Sequence, residues 1–187
     1  MKRMGLSLKK VRGIFITHEH SDHIGGVAKL SKRHKLPVFI TQATRLRGRL
    51  KLEDSLYHSF EAHKTITLGN LSITPIPKLH DAADPYSFVV ASEQVRVGFF
   101  TDTGTPCEHL INSFAQCHAA FLEANYDEDM LEYGGYPYAL KNRIRGGLGH
   151  LSNKQALALF LQHRPAYMSH LFLAHLSNNI YSTKNAT

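Results

Sequence analysis

Two hydrophobic periods alternate along this chain of 187 residues. Residues 11–17 (VRGIFIT) are short, apolar and β-branched, which predicts a strand. In DHIGGVAKLSKRHK, Ile24, Val27 and Leu30 recur at helical spacing and predict a helix. Pro37 opens a short strand, PVFIT, and a second helix is expected over roughly residues 42–51. Short strands follow in TITL and LSITPIP, bounded by Gly69-Asn70 and Pro77. YSFVVAS and QVRVGFFTD predict a hairpin that turns near Ser92-Glu93. Pro106 suits the first turn of a helix reaching about residue 116. AAFLEAN predicts a buried strand, and DEDMLEYGGYPYALKNRIRGG a helix on either side of a Gly-Gly-Tyr-Pro break. Ser152 is expected to cap a last helix, NKQALALFLQHR, and YMSHLFLAHLS to run from strand into turn. Residues 2–10 read as the end of a basic amphipathic helix. No repeat, low-complexity tract or linker interrupts this order, so one α/β sandwich domain over residues 1–187 is expected.

The totals fit a globular domain, with 43% hydrophobic and 20% charged residues. The formal net charge of +7 favours an anionic partner, nucleic acid or a phosphorylated small molecule foremost. Cys107 and Cys117 form no disulfide framework and no C-x-x-C spacing, which fits thiols in a reducing cytoplasm. MKRMGLSLKK has no apolar run behind its basic residues, and no stretch is apolar enough for a membrane helix. The chain is therefore expected in the cytoplasm, away from membranes.

Chemistry concentrates in ITHEHSDHIGG. His18, His20, Asp22 and His23 lie within six residues, directly after a predicted strand. Three imidazoles and a carboxylate at that density are poor core and poor surface, but good ligands for two divalent metals. Residues two apart on an extended segment face the same way, so His18 and His20 can share one ion. Asp22 and His23, at the start of a helix, can face a second.

This H-x-H-x-D-H string resembles the signature of the metallo-β-lactamase-fold hydrolases, which implies an αββα sandwich with ligands on loops along one sheet edge. The resemblance carries further positions after strands: His80 after LSITPIPKL, Asp102 in TDTG and His175 in AHLS. It implies one metal on His18, His20 and His80, the other on Asp22, His23 and His175, and Asp102 as the bridge. The ions implied are zinc first, manganese second. His118 and His170 match no motif and are read as ordinary residues.

His150, in GHLSN, is not needed as a ligand. A histidine near the cleaved bond can donate a proton or stabilise phosphate charge. Asp22, besides its ligand role, is expected to act catalytically. The segment from Asn125 to Asn153 is similar to the YycJ/WalJ-type branch, with its N-x-D-x-x-M-L, Y-P-x-x-L-K-x-R-I and G-H-L-S-N strings. That branch implies a nuclease-like phosphodiesterase, with exonuclease action on DNA, and relatives such as ribonuclease Z. Two cations can bind a phosphodiester oxygen and bring a bridging water's pKa toward neutrality. Arg45, Arg49, Lys141, Arg143 and Arg145 could track a DNA or RNA strand through its phosphates, and Tyr136 and Tyr138 could stack on bases. Hydrolysis of a small ester or thioester on the same centre, or an inactive fragment, are the alternatives.

The resemblance also marks departures. Opening strands, an S-G-S-S-G-N-like turn and an I-D-x-G motif are absent, and NNIYSTKNAT does not read as a closing helix. The expectation is an incomplete sandwich, without N-terminal strands and C-terminal helix, and of reduced stability.

Overall fold

The computed structural model describes residue 5 and residues 7–177. NNIYSTKNAT, from residue 178 on, lies outside the described residues, as do residues 2–4 and 6 of the expected first helix; its described end is a 3₁₀ turn, Leu8–Lys10, rather than an α-helix.

Two sheets pack face to face. The small one is parallel, in the order β1 (Ile14–Phe15), β2 (Val38–Phe39), β3 (Tyr57–His58). The large one runs β4 (Ile66–Leu68), β5 (Leu71–Pro77), β6 (Tyr86–Ala91), β7 (Arg96–Phe100), β8 (Ala119–Glu123), β9 (His170–Ala174). Its pairs are antiparallel from β4 to β7 and parallel from β7 to β9. Helices α1 (Ser21–Ile24), α2 (Val27–His34) and α3 (Gln42–Arg47) follow the first two strands. Helices α4 (Glu108–Phe114), α5 (Glu128–Tyr133), α6 (Tyr138–Arg145) and α7 (Asn153–His163) follow the large sheet's strands.

The period of two along each strand assigns the layers. On β1 and β2, Ile14 and Val38 face Val27 of α2, while Phe15 and Phe39 turn inward onto Phe88 of the large sheet. Phe15 stacks on Phe39 at 4.5 Å and meets Phe88 edge-on at 5.5 Å. On the far side, Phe100, Ala120 and Leu122 pack with Leu110 and Phe114 of α4 and Leu159 of α7. The layers are therefore helix, sheet, sheet, helix, as expected.

Several boundaries differ from the sequence reading. The first strand is confined to its paired residues, Ile14–Phe15. The first predicted helix is two: Gly26, at φ +83°, breaks it, a conformation glycine takes at little cost. The second stops at Gly48, and Arg49 stands at φ +50°. Pro106 precedes α4, whose N-cap is Cys107. Strand β3 was not foreseen, because two paired residues carry no periodicity. The cap at Ser152 is present and doubled: its hydroxyl accepts from the Gln155 amide while the Gln155 side chain accepts from the Ser152 amide.

Phe99, Phe121 and Phe172 stand in register on the inter-sheet face of β7, β8 and β9. Their rings stack at 5.0 and 4.7 Å, yet Phe99 is 40% and Phe172 45% exposed. Contiguous apolar surface of this kind takes up apolar molecules. The protein is expected to enhance the fluorescence of an anilinonaphthalene dye while folded, and Phe99→Thr/Phe172→Thr to abolish that enhancement. A dye signal unchanged in the double variant would place the apolar surface elsewhere.

Candidate metal centre

The parallel small sheet aims the C-terminal ends of its strands at one edge, and the loop leaving β1 carries the histidines there. Thr17 stands at the root of this loop. Its hydroxyl lies 2.9 Å from His18 Nδ1 and 3.2 Å from His23 Nδ1, which turns the Nε2 atoms of both rings away from it. The short helix α1 then brings His23 back beside His18, with ring centroids 4.0 Å apart. His80 arrives from the loop after β5, its ring 4.8 Å from His18 and 5.0 Å from His20. Its Nδ1 lies 3.1 Å from the Gly149 carbonyl; a proton there donates to that oxygen and leaves Nε2 a lone pair.

Asp102 and His175 leave the ends of β7 and β9, each at φ +54°. This left-handed backbone is uncommon for such residues and is often seen at functional sites. Asp102 offers Oδ2 to His23 Nε2 at 3.6 Å and Oδ1 to His175 Nε2 at 3.3 Å. Among the described residues, three sets of potential ligand atoms converge within 4.8 Å: His18, His20 and His80; His18, His23 and Asp102; Asp102, His150 and His175. Asp22 belongs to none of these sets. It is largely exposed, with Oδ2 3.5 Å from His23 Nε2. His150, expected to stand apart from the ligands, instead converges with Asp102 and His175.

The donors fit a metal. His80 Nε2 and Asp102 Oδ2 are buried with no hydrogen-bond partner, an expensive arrangement unless a cation completes it. Burial, reinforced by the nearby Lys78 charge, lowers the His18 pKa to about 2 and that of His80 to about 4. Both rings are thus neutral at pH 7 and able to ligate. Burial works against the Asp102 anion, yet the His23 ring beside it and the Lys78 ammonium hold its carboxyl well below the usual range.

The sequence reading did not give Glu123, Lys78 or Asp81 a place in this centre, nor Asn125 a role at His175. Glu123, the last residue of β8, is fully buried. Its Oε1 lies 2.7 Å from His150 Nδ1 and 2.8 Å from His175 Nδ1, and its Oε2 accepts from the Thr103 amide at 2.7 Å. One carboxylate therefore orients two rings; although burial opposes its charge, these two hydrogen bonds keep its pKa low. The Glu123 hydrogen bond in turn raises the His175 pKa. Lys78 is buried beside Asp102 and Glu123 and donates to the Thr101 carbonyl at 2.7 Å; burial brings its pKa down to about 8. Asn125 donates to the His175 carbonyl at 2.8 Å. Asp81 places Oδ1 3.4 Å from His80 Nε2 and 3.7 Å from His20 Nε2, and its Oδ2 receives Arg143 Nε at 2.6 Å. Glu123 ends one apolar strand and Lys78 directly follows another, so neither stands out by its spacing in the sequence.

The cluster opens on a cavity of about 380 Å³. His150 and His175 line it together with Tyr136, Leu140 and Arg143, the last three around and on α6. Among the basic residues considered from sequence, Arg143 alone lines it. Arg145 pairs with Glu132 at 2.6 Å, Lys141 donates to the Glu132 carbonyl, and Tyr138 is largely exposed beneath Arg145. His118 and His170 lie away from the centre: His118 accepts from the Arg96 amide, and His170 is exposed on β9.

Comparison with known proteins agrees with this architecture. A model of the beta-lactamase superfamily domain matches residues 2–175. The chain is 31% identical over 181 residues to the exodeoxyribonuclease YycJ of Bacillus anthracis, covering 94% of this chain and 68% of that protein. It is 32% identical over 183 residues to the exodeoxyribonuclease WalJ of Streptococcus pneumoniae, covering 93% and 67%. It thus spans about two thirds of the length of these relatives. The metallo-beta-lactamase fold protein YhfI of Bacillus subtilis superposes with a TM-score of 0.70 at 17% identity, over 95% of this chain and 69% of that one. With its helix–sheet–sheet–helix layers and its histidines gathered at the strand ends, the chain belongs to the beta-lactamase superfamily domain family, of metallo-β-lactamase fold.

Proposed function

We propose that the protein is a dinuclear metal-dependent phosphodiesterase that removes nucleotides from a nucleic-acid strand. The observation that carries the reading is the lining of the cavity, which brings Arg143 and Tyr136 together with His150 and His175. A cation suits a phosphate and an aromatic ring suits a base. The relatives named as exodeoxyribonucleases support the same class.

His18, His20 and His80 would hold one ion. His23, Asp102 and His175, with Asp22 alongside, would hold the other, Asp102 lying between the two sets. Zinc suits this imidazole and carboxylate set, and manganese is the second choice. When bound, two such ions supply Lewis acidity toward a phosphodiester oxygen and lower the pKa of a water. The chain's own groups do the rest. Arg143 bonds Asp81 through Nε, and its terminal amino groups would bond a phosphate in the cavity. His150, held through Nδ1 by Glu123, keeps Nε2 for a proton at the leaving oxygen. Tyr136 and Leu140 give a base an apolar wall.

The test is a substrate panel with zinc- or manganese-loaded protein: bis(p-nitrophenyl) phosphate, end-labelled oligothymidylate and p-nitrophenyl acetate. Both phosphodiesters should be cleaved, the oligonucleotide one residue at a time. Arg143→Ala should raise KM for the oligonucleotide roughly tenfold, as removal of one charge-assisted hydrogen bond does, with a smaller change in kcat. Cleavage of the acetate alone would replace this reading with an ester hydrolase.

A further inference from the structure

A second basic feature lies outside the metal centre. Arg45, Leu46, Arg49 and Lys51, on and just after α3, line a groove of about 650 Å³ with Tyr57 of β3. The Arg45 guanidinium lies 4.2 Å over the Tyr57 ring and 3.5 Å from Asp54. Arg49 and Lys51 are exposed, and neither makes an ion pair with any described residue. Leu46 is 67% exposed beside them. The groove thus pairs unneutralised cations with apolar and aromatic surface.

Its position relates it to the centre. Helix α3 starts at the C-terminal end of β2, next to the end of β1 that carries the histidine loop. The Thr44 hydroxyl donates to the Asp84 carbonyl, three residues past Asp81. A Cβ on Gly48 would come within 3.3 Å of Glu19 Cβ, in the histidine loop itself. So the helix that presents the groove is fastened to both loops that frame the histidines.

We propose that this groove holds the sugar–phosphate backbone of the uncleaved part of a single-stranded substrate. The proposal rests on the phosphodiesterase reading and adds a second binding place to it. Arg49 and Lys51 take phosphates, and Leu46 and the Arg45–Tyr57 stack take sugar and base faces. Charge complementarity selects a polyanion, and the aromatic and apolar content selects one with exposed bases rather than a duplex. A strand long enough to reach both places binds more tightly than one filling the metal-side cavity alone, because its second attachment is intramolecular.

The experiment measures fluorescence anisotropy of labelled oligothymidylates and oligouridylates, of 4 and 20 nucleotides, on the metal-free full chain across a salt series. Arg49→Glu/Lys51→Glu should weaken the 20-mers about tenfold or more. It should also flatten the slope of log affinity against log salt by about 0.7 for each phosphate that the variant no longer neutralises. The 4-mers should be unaffected, and Arg49→Lys/Lys51→Arg should bind as wild type. A preference for one sugar identifies the strand as DNA or RNA. Equal binding of 20-mers by wild type and a folded charge-reversed variant overturns the groove, as does equal affinity of wild type for both lengths. Hydrolysis of bis(p-nitrophenyl) phosphate separates the two readings: binding without hydrolysis sinks the catalytic one, and hydrolysis with 20-mer binding indifferent to the variant sinks the groove alone.

Discussion

Asp102→Ala is expected to leave the protein unable to retain either metal ion. Wild-type protein purified without chelator should carry about two equivalents of zinc or manganese per chain, the content of a two-metal hydrolase. The Asp102 carboxylate belongs to two of the three convergent ligand sets, facing His23 with one oxygen and His175 with the other. His20, in contrast, belongs to one set, so His20→Ala should lose about one equivalent and keep the other. Deleting a buried carboxylate also leaves Lys78 less compensated, and a buried charge without its partner destabilises a fold. Asp102→Asn keeps the side-chain volume, and a circular-dichroism melt of that variant separates a ligation defect from a folding defect. Elemental analysis decides the matter. Two equivalents retained by folded Asp102→Asn would overturn Asp102 as the shared ligand, and none taken up by folded wild type under saturating zinc and manganese would overturn the dinuclear assignment.

How much of this was legible before the structure depends on the kind of signal. The strands and helices were, because short apolar runs and the helical spacing of Ile24, Val27 and Leu30 mark them, while the αββα layering came through the family resemblance. The histidine loop was, because close spacing in sequence forces closeness in space. His80, Asp102 and His175 became legible through the family resemblance, since contacts spanning tens of residues leave no local pattern. Glu123 was invisible for that reason: within AAFLEAN it reads as a strand residue, and its bonds to His150 and His175 depend on β8 pairing with β9. Asp81 likewise looks like a loop carboxylate until Arg143 of α6 arrives 62 residues later. The split of the first predicted helix at Gly25-Gly26 could have been read from the two glycines, since an interior pair weakens any helix. Residues Arg145, Lys141 and Tyr138 show how tertiary partners change the picture. Their basic and aromatic character suggested substrate contact, but the α5–α6 pairing engages Arg145 and Lys141 with Glu132 and sets Tyr138 beneath Arg145.

His150→Ala is expected to lower turnover of a phosphodiester by roughly 10²–10⁴, the usual contribution of a positioned general acid, without removing a metal. The structure makes this a demanding test, because His150 converges with Asp102 and His175 closely enough to ligate. Two observations favour the proton-handling role. The His18, His20 and His80 set and the pair of His23 and His175 around Asp102 already supply imidazoles to both positions. And His150 opens onto the cavity beside Arg143, where a leaving oxygen would stand. Glu123→Gln supplies the second arm. Glu123 holds both His150 and His175, so its neutralisation should lower turnover and also loosen the ion nearest His175, at about the 10–100-fold loss in affinity typical of an altered ligand support. A purely structural His150 would change stability and leave the pH profile of kcat in place, whereas a proton donor leaves a profile without its alkaline limb. Metal loss in His150→Ala, at unchanged folding, would make His150 a ligand and assign the proton to another group.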